Sequence, residues 1–168
     1  MSEQKLKIDK IKKGTVIDHV NAGYALIILN LTGLDETSNL MTVGVNVPSN
    51  KYGTKDIIKI ENVFLDKVQV QQIAILSSNA TISLIKDFEV IKKKKVEIPE
   101  VIKNIIMCDT KTCISNSKKE PINTEFVVLE KKPLKVQCAF CDRIYKLDQI
   151  KFRPRRKRDK RVQQTIKL

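Results

Sequence analysis

The stretch "MTVGVNVPSNKYGTKDIIKIEN" (41–62) holds two runs of alternating apolar and polar residues around a turn. Met41, Val43, Val45 and Val47 share one phase of the first run, and "KDIIKIEN" (55–62) alternates again. Between them "PSNKYGT" (48–54) is rich in turn formers, so a hairpin is expected. Upstream, "NAGYALIILNLT" (21–32) is apolar at most positions and reads as a buried helix, and the β-branched "GTVIDHV" (14–20) as a strand. Downstream, Asp66 can cap a helix over "KVQVQQIAIL" (67–76), whose Val70, Ile73 and Ala74 share a face. "ATISLI" (80–85) and "FEVI" (88–91) follow as strands. The order strand, helix, strand, strand, helix, strand is the split βαβ, or ferredoxin-like, pattern, which hosts many functions.

Next comes "KKKKVEIPE" (92–100), a charge run ending near a proline, which reads as a linker. Residues 101–150 are too few to hold a hydrophobic core without a staple, and they contain all four cysteines of the chain. Cys108 and Cys113 form a C-x4-C pair, Cys138 and Cys141 a C-x2-C pair. Two close pairs separated by a loop suit a tetrahedral site of four thiolates. Four free buried cysteines, or disulfides in a reducing compartment, explain the pairing less well. Zinc is favoured over iron, although thiolate count alone does not separate them. Four thiolates leave no open position on the metal, and the single histidine, His19, lies far away in sequence, so the site reads as structural. "EFVVL" (125–129), "LKVQ" (134–137) and "RIYKL" (143–147) would be the strands of a small ribbon around it.

The expected fold class is therefore α+β: a ferredoxin-like domain over 1–97, a small all-β, zinc-ribbon-like domain over 98–150, and a basic, disordered tail over 151–168. The net charge of +13 is concentrated in that tail, which carries nine Lys/Arg against one Asp. No apolar leader opens the chain, and the longest apolar run, "YALIILNL" (24–31), is too short to cross a bilayer. A soluble, cytoplasmic protein without a membrane partner is expected.

"KKGTVIDHV" (12–20), "VGVNVPSNKYGTKDIIKIEN" (43–62) and the paired cysteines, in this order, resemble the regulatory chain of aspartate carbamoyltransferase. The resemblance runs from about residue 5 to about residue 147. It implies a chain without activity of its own, whose first domain binds nucleotide triphosphates and dimerises. Its zinc domain would grip the catalytic chain, two catalytic trimers being joined by three regulatory dimers into a dodecamer. CTP and ATP would be the effectors, controlling pyrimidine biosynthesis through a two-state quaternary equilibrium.

Position by position, the resemblance assigns effector contacts to Asp18 and His19 (ribose and phosphates), Lys55, Lys59 and Lys93 (phosphates) and Ile11 (base, through its backbone). Ile8 and Val90 are apolar neighbours. Ser83 stands where the family's pattern has Asn, and Phe88 where it has Tyr. The chemistry agrees: a triphosphate carries about four negative charges and needs several cations at close range. Lys55 and Lys59, four apart on a predicted strand, share a face.

The rival reading is a nucleic-acid-binding zinc-ribbon protein that uses "RPRRKRDKR" (153–161) for phosphates. Against it, eight Phe and Tyr residues with no Trp leave little for a base-stacking surface. An enzyme would need a convergent nucleophile and base or a phosphate loop, and neither is evident.

Overall fold

A computed structural model describes residues 9–119 and 122–154. The first half is a five-stranded antiparallel sheet with two helices on one face. Strand β1 is Lys13–Asn21, β2 Met41–Ser49, β3 Gly53–Glu61, β4 Thr81–Lys86 and β5 Glu89–Lys95, in the spatial order β2-β3-β1-β4-β5. With helix α1 (Ala25–Thr32) between β1 and β2, and α2 (Lys67–Leu76) between β3 and β4, the first four strands have ferredoxin-like topology. The fifth is an added edge strand, joined to β4 by a tight turn in which Asp87 and Phe88 both have positive φ (50° and 66°).

Local chemistry explains the helix limits. Asp66 accepts from the Gln69 amide at 2.8 Å while the Gln69 side chain accepts from the Asp66 amide at 3.0 Å, a reciprocal cap that starts α2. Gly33, at φ 77°, closes α1 by donating its N–H to the Leu29 carbonyl. Gly14 is required by close approach: at φ 143°, an added Cβ would lie 2.0 Å from the Ile60 carbonyl oxygen.

The helices cover the face carrying Ile17, Ile58 and Ile60, and Ile28, Leu29 and Ile73 close the core from the helix side. The other face carries the alternate residues of the same strands, among them Val16, Lys59 and Ser83, which stand opposite one another across β3, β1 and β4. Three bulges set the phase. Val45–Asn46 bulges against Asp56, so Met41 and Val43 pair with Ile60 and Ile58 on the core side, whereas Val47 pairs with Lys55 on the other. The four residues expected on one face of β2 are therefore split, and Val45 is 46% exposed.

The run "KKKKVEIPE" is not a linker. Lys92–Lys95 lie in β5, and Val96 and Ile98 are buried in the core. The lysines sit on an edge strand, where charge guards unpaired backbone groups. Beyond it, β6 (Val101–Lys103), β8 (Glu125–Lys131), β9 (Leu134–Cys138) and β10 (Ile144–Lys146) make a four-stranded sheet ordered β10-β9-β8-β6. Strands β7 (Ile106–Met107) and β11 (Lys151–Phe152) pair separately. Lys151–Arg153 thus belongs to the fold, Arg153 donating its N–H to the Ile105 carbonyl at 2.8 Å. The disordered tail expected from 151 is not found over 151–153, and residues 155–168 lie outside the described residues.

Candidate functional site

Four sulfur atoms converge at one end of the second half. The Sγ atoms of Cys108, Cys113, Cys138 and Cys141 lie within 4.8 Å of one another. Two loops bring them there. Asn116 donates from its side-chain amide to the carbonyls of Cys108 and Thr110 at 2.8 and 2.9 Å, buckling the first knuckle. In the second, Asp142 takes positive φ (59°) and donates its N–H to the Cys138 carbonyl, while Cys138 donates to the Arg143 carbonyl.

The geometry fits a metal. Cys108 and Cys141 are 3.6 Å apart and Cys113 and Cys138 3.8 Å. A tetrahedron with Zn–S bonds of about 2.3 Å has edges of roughly 3.8 Å. The electrostatics fit as well. Burial pushes the Cys138 thiol up to about 12, so its thiolate needs a cation beside it. Burial works against the Cys108 thiolate too, but hydrogen bonds led by the Tyr145 hydroxyl outweigh it and bring that thiol down to about 7. Tyr145 accepts from the Asp109 amide, and its single hydroxyl proton lies between two acceptors, Cys108 Sγ at 3.2 Å and Asp109 Oδ1 at 2.7 Å, and can serve one of them at a time. Arg143 lies against both, 3.4 Å from the Asp109 carboxylate and 5.6 Å from the Tyr145 ring centroid. Cys113 has its own neighbour, the Ser115 hydroxyl at 3.1 Å.

The second cluster is on the open face of the large sheet. Register places Thr42, Lys59, Val16, Ser83 and Lys93 in one row across all five strands, hence on one face. Asp18 lies on the same face one step along β1, where Lys55 donates to Oδ1 at 2.7 Å and the His19 amide donates to the same atom at 2.7 Å. Burial alone would raise the Asp18 carboxyl, but the Lys55 ammonium and the His19 N–H outweigh it and hold it below the usual range. Burial also lowers the Lys59 ammonium, against the pull of Asp9 and Asp18. Its Nζ donates to the Asp9 carbonyl at 2.8 Å. Among the described residues, His19 Nδ1 is the one buried side-chain polar atom without a hydrogen bond, 3.6 Å from Asp18 Oδ2.

Ile11, Asp18, Lys55, Lys59, Ser83, Val90 and Lys93 are thus brought to one side of the sheet. Ile11 and Ile85 are buried outside the main core, and Val90 pairs with Ile85. Phe88, at the β4–β5 turn, is exposed and its N–H reaches the Lys12 carbonyl at 3.1 Å. Ile8 lies outside the described residues.

Sequence reasoning missed Asp56. Its carboxylate is fully buried and accepts from the amides of Gly23 (2.9 Å), Ala25 (3.0 Å) and Asn46 (2.9 Å). It ties the start of α1 and the β2 bulge to β3. The signal was present: an acid on the core phase shared by Ile58 and Ile60. Tyr145 was missed because nothing in its local sequence marks an aromatic hydroxyl as a neighbour of Cys108.

Comparison with known sequences accounts for both halves. Residues 6–97 match the aspartate carbamoyltransferase regulatory chain, allosteric domain, and residues 100–151 the metal binding domain of the same chain. An aspartate carbamoyltransferase regulatory chain from Thermoplasma volcanium is 45% identical over 144 residues, 85% of this chain and 94% of the relative. Those of Thermofilum pendens (44% over 141 residues; 83% and 89%) and Pyrococcus horikoshii (43% over 147; 86% and 95%) are similar. Neither matched domain is described as a nucleic-acid module, which disfavours the rival reading. With its ferredoxin-like half, its clustered thiols and relatives that align over most of both chains, the protein belongs to the aspartate carbamoyltransferase regulatory chain family.

Proposed function

We propose that the chain is a non-catalytic, cytoplasmic subunit that binds CTP and ATP on the open face of the large sheet and passes their effect to catalytic chains. The observation that carries this is the row joining Lys59 to Lys93 across Val16 and Ser83, with Lys55 and Asp18 beside it. Lysines at both ends of a floor of short side chains suit a polyphosphate. The base and ribose would rest toward Ile11, His19, Val90, Phe88 and the preceding Ile8. In this reading the division of labour falls at 97/98, with dimerisation in the first half and catalytic-chain contact in the second. Two catalytic trimers and three regulatory dimers would form the dodecamer.

The four thiols fit zinc, which when bound supplies a charge-neutralising, non-redox crosslink with no open coordination site. Cys108 and Cys113 would hold it from one knuckle, Cys138 and Cys141 from the other. Effector control then needs only that the nucleotide favour one quaternary state, by differential affinity. Calorimetric titration of the zinc-loaded chain with CTP and with ATP tests the reading. Lys59→Ala should weaken both by ten- to a hundredfold, roughly the worth of one charge-assisted contact. Unaltered affinity for both nucleotides would overturn it.

A further inference from the structure

Four thiolates around one metal make the same bond to it, but the rest of their surroundings differ. We infer that Cys141 is a peroxide-sensitive modification site, and that its oxidation closes a disulfide to Cys108 and opens the metal centre; this rests on the metal reading proposed above.

The four sulfurs differ first in access. Cys108, Cys113 and Cys138 are 4%, 5% and 0% exposed, whereas Cys141 is only partly buried. It sits on the outer side of its knuckle, next to Phe140, which is itself 39% exposed. The sulfurs differ also in their polar neighbours. Cys108 Sγ has the Tyr145 hydroxyl at 3.2 Å and Cys113 Sγ the Ser115 hydroxyl at 3.1 Å. Beside Cys141 Sγ the Thr110 hydroxyl stands back at 3.9 Å. A donor close to a thiolate stabilises its charge and so blunts its attack on an electrophile. Cys138, without such a hydroxyl, is sealed by burial instead. Access and unblunted reactivity coincide at Cys141 alone.

A thiol that senses oxidants needs thiolate character, contact with solvent and a second thiol to resolve the first product. A metal-held Cys141 is a thiolate, it meets solvent, and Cys108 Sγ lies 3.6 Å away. The chemistry balances with hydrogen peroxide as the oxidant. The Cys141 thiolate attacks one peroxide oxygen, an S–O bond forms, the O–O bond breaks and hydroxide leaves, giving a sulfenic acid. The Cys108 thiolate then attacks that sulfur, the S–S bond forms and a second hydroxide leaves. The two sulfurs together lose two electrons, and the peroxide is reduced to two hydroxide ions. Cys113 and Cys138 remain, too few to close a tetrahedron. Because Cys108 and Cys141 come from different knuckles, the disulfide keeps the two loops tethered. Exchange with an external thiol then regenerates both thiolates in place.

The test uses the full-length, zinc-loaded chain treated with hydrogen peroxide, in one arm with dimedone to trap sulfenic acid and in the other without it. Peptide mass spectrometry locates the dimedone and any disulfide, and a chromogenic chelator follows released zinc. Dimedone should mark Cys141 about tenfold more than any of the other three cysteines, as its access and reactivity require. Without dimedone, a Cys108–Cys141 disulfide should grow in step with zinc release, and dithiothreitol with added zinc should reverse both. Labelling spread evenly over the four thiols, or appearing first at a buried one, would overturn the inference. So would a disulfide confined to one knuckle, or zinc retained after Cys141 is oxidised. A chain that carries no zinc before treatment removes the metal reading itself.

Discussion

Asp56 shows how much structure one side chain can hold. Three backbone amides, two from the start of α1 and one from the β2 bulge, converge on a carboxylate with no solvent contact. Asn at this position keeps the shape, but its amide offers one acceptor oxygen and turns a donor toward N–H groups. Asp56→Asn should therefore cost at least about 2–3 kcal/mol, two weakened charge-assisted bonds, read as a lower denaturant midpoint. An unchanged midpoint would mean the amides find other partners. Asp18 makes a different prediction. Its folded-state carboxyl lies below the ordinary 3.8, so its contribution to stability is present above the unfolded value and fades as pH falls through the folded one. Removing the Lys55 ammonium by Lys55→Met should raise the Asp18 titration midpoint, followed by NMR; no rise would mean the ion pair is not made in solution. Beside the four thiols, Tyr145→Phe keeps the ring packed against Phe126 but deletes the hydroxyl near Cys108. Loss of such a neighbour costs ten- to a hundredfold in metal affinity as a rule of thumb, roughly the effect to expect in a chelator competition. Equal affinity would make Tyr145 a packing residue alone.

The elements were legible wherever periodicity ran uninterrupted, and obscure wherever a bulge broke it. In "KDIIKIEN" the alternation around Ile58 and Ile60 reads as a strand and residues 55–61 lie in β3, and the Asp66 cap starts α2. The lysine run failed because four consecutive cations carry no apolar phase, and edge strands need none: every residue of β5 is exposed. β2 failed in phase for another reason, since the extra residue at Val45–Asn46 is specified by the distant Asp56 carboxylate rather than by local sequence. The four cysteines needed no such help, because spacing alone pairs them and the structure gathers them. Gly14 belongs to this scale as well. With an added Cβ 2.0 Å from the Ile60 oxygen, Gly14→Ala must push β1 from β3 at the centre of the sheet. The expected loss is more than about 3 kcal/mol, comparable to a severe core defect, visible as a lower melting temperature. A melting temperature within a degree or so of the parent would show that the strands can part there without cost.

At the scale of the whole molecule, the two halves share one connected core. Buried residues from Ile17 in β1 to Tyr145 in β10 belong to it, with Val96 and Ile98 at the join and Cys108, Cys113 and Cys138 at the far end. Polar contacts also cross: Lys132, in the β8–β9 turn, donates to the Asn79 side chain, which in turn donates to Asn21 at the end of β1. In the proposed reading, an effector bound near Asp18 would have a mechanical neighbour in the metal-binding half. The same continuity sets what metal loss should do. The small sheet buries too little to stand without its crosslink, whereas the larger sheet has two helices of its own. Cys138→Ser should leave well under one metal ion per chain and erase hydrogen-exchange protection across β8 and β9. Amides of β1 and β3 should remain protected, though less than before, because the join at Val96 and Ile98 has lost its far wall. Full protection of β8 and β9 in metal-free protein would show that the thiols are not what holds the second half together.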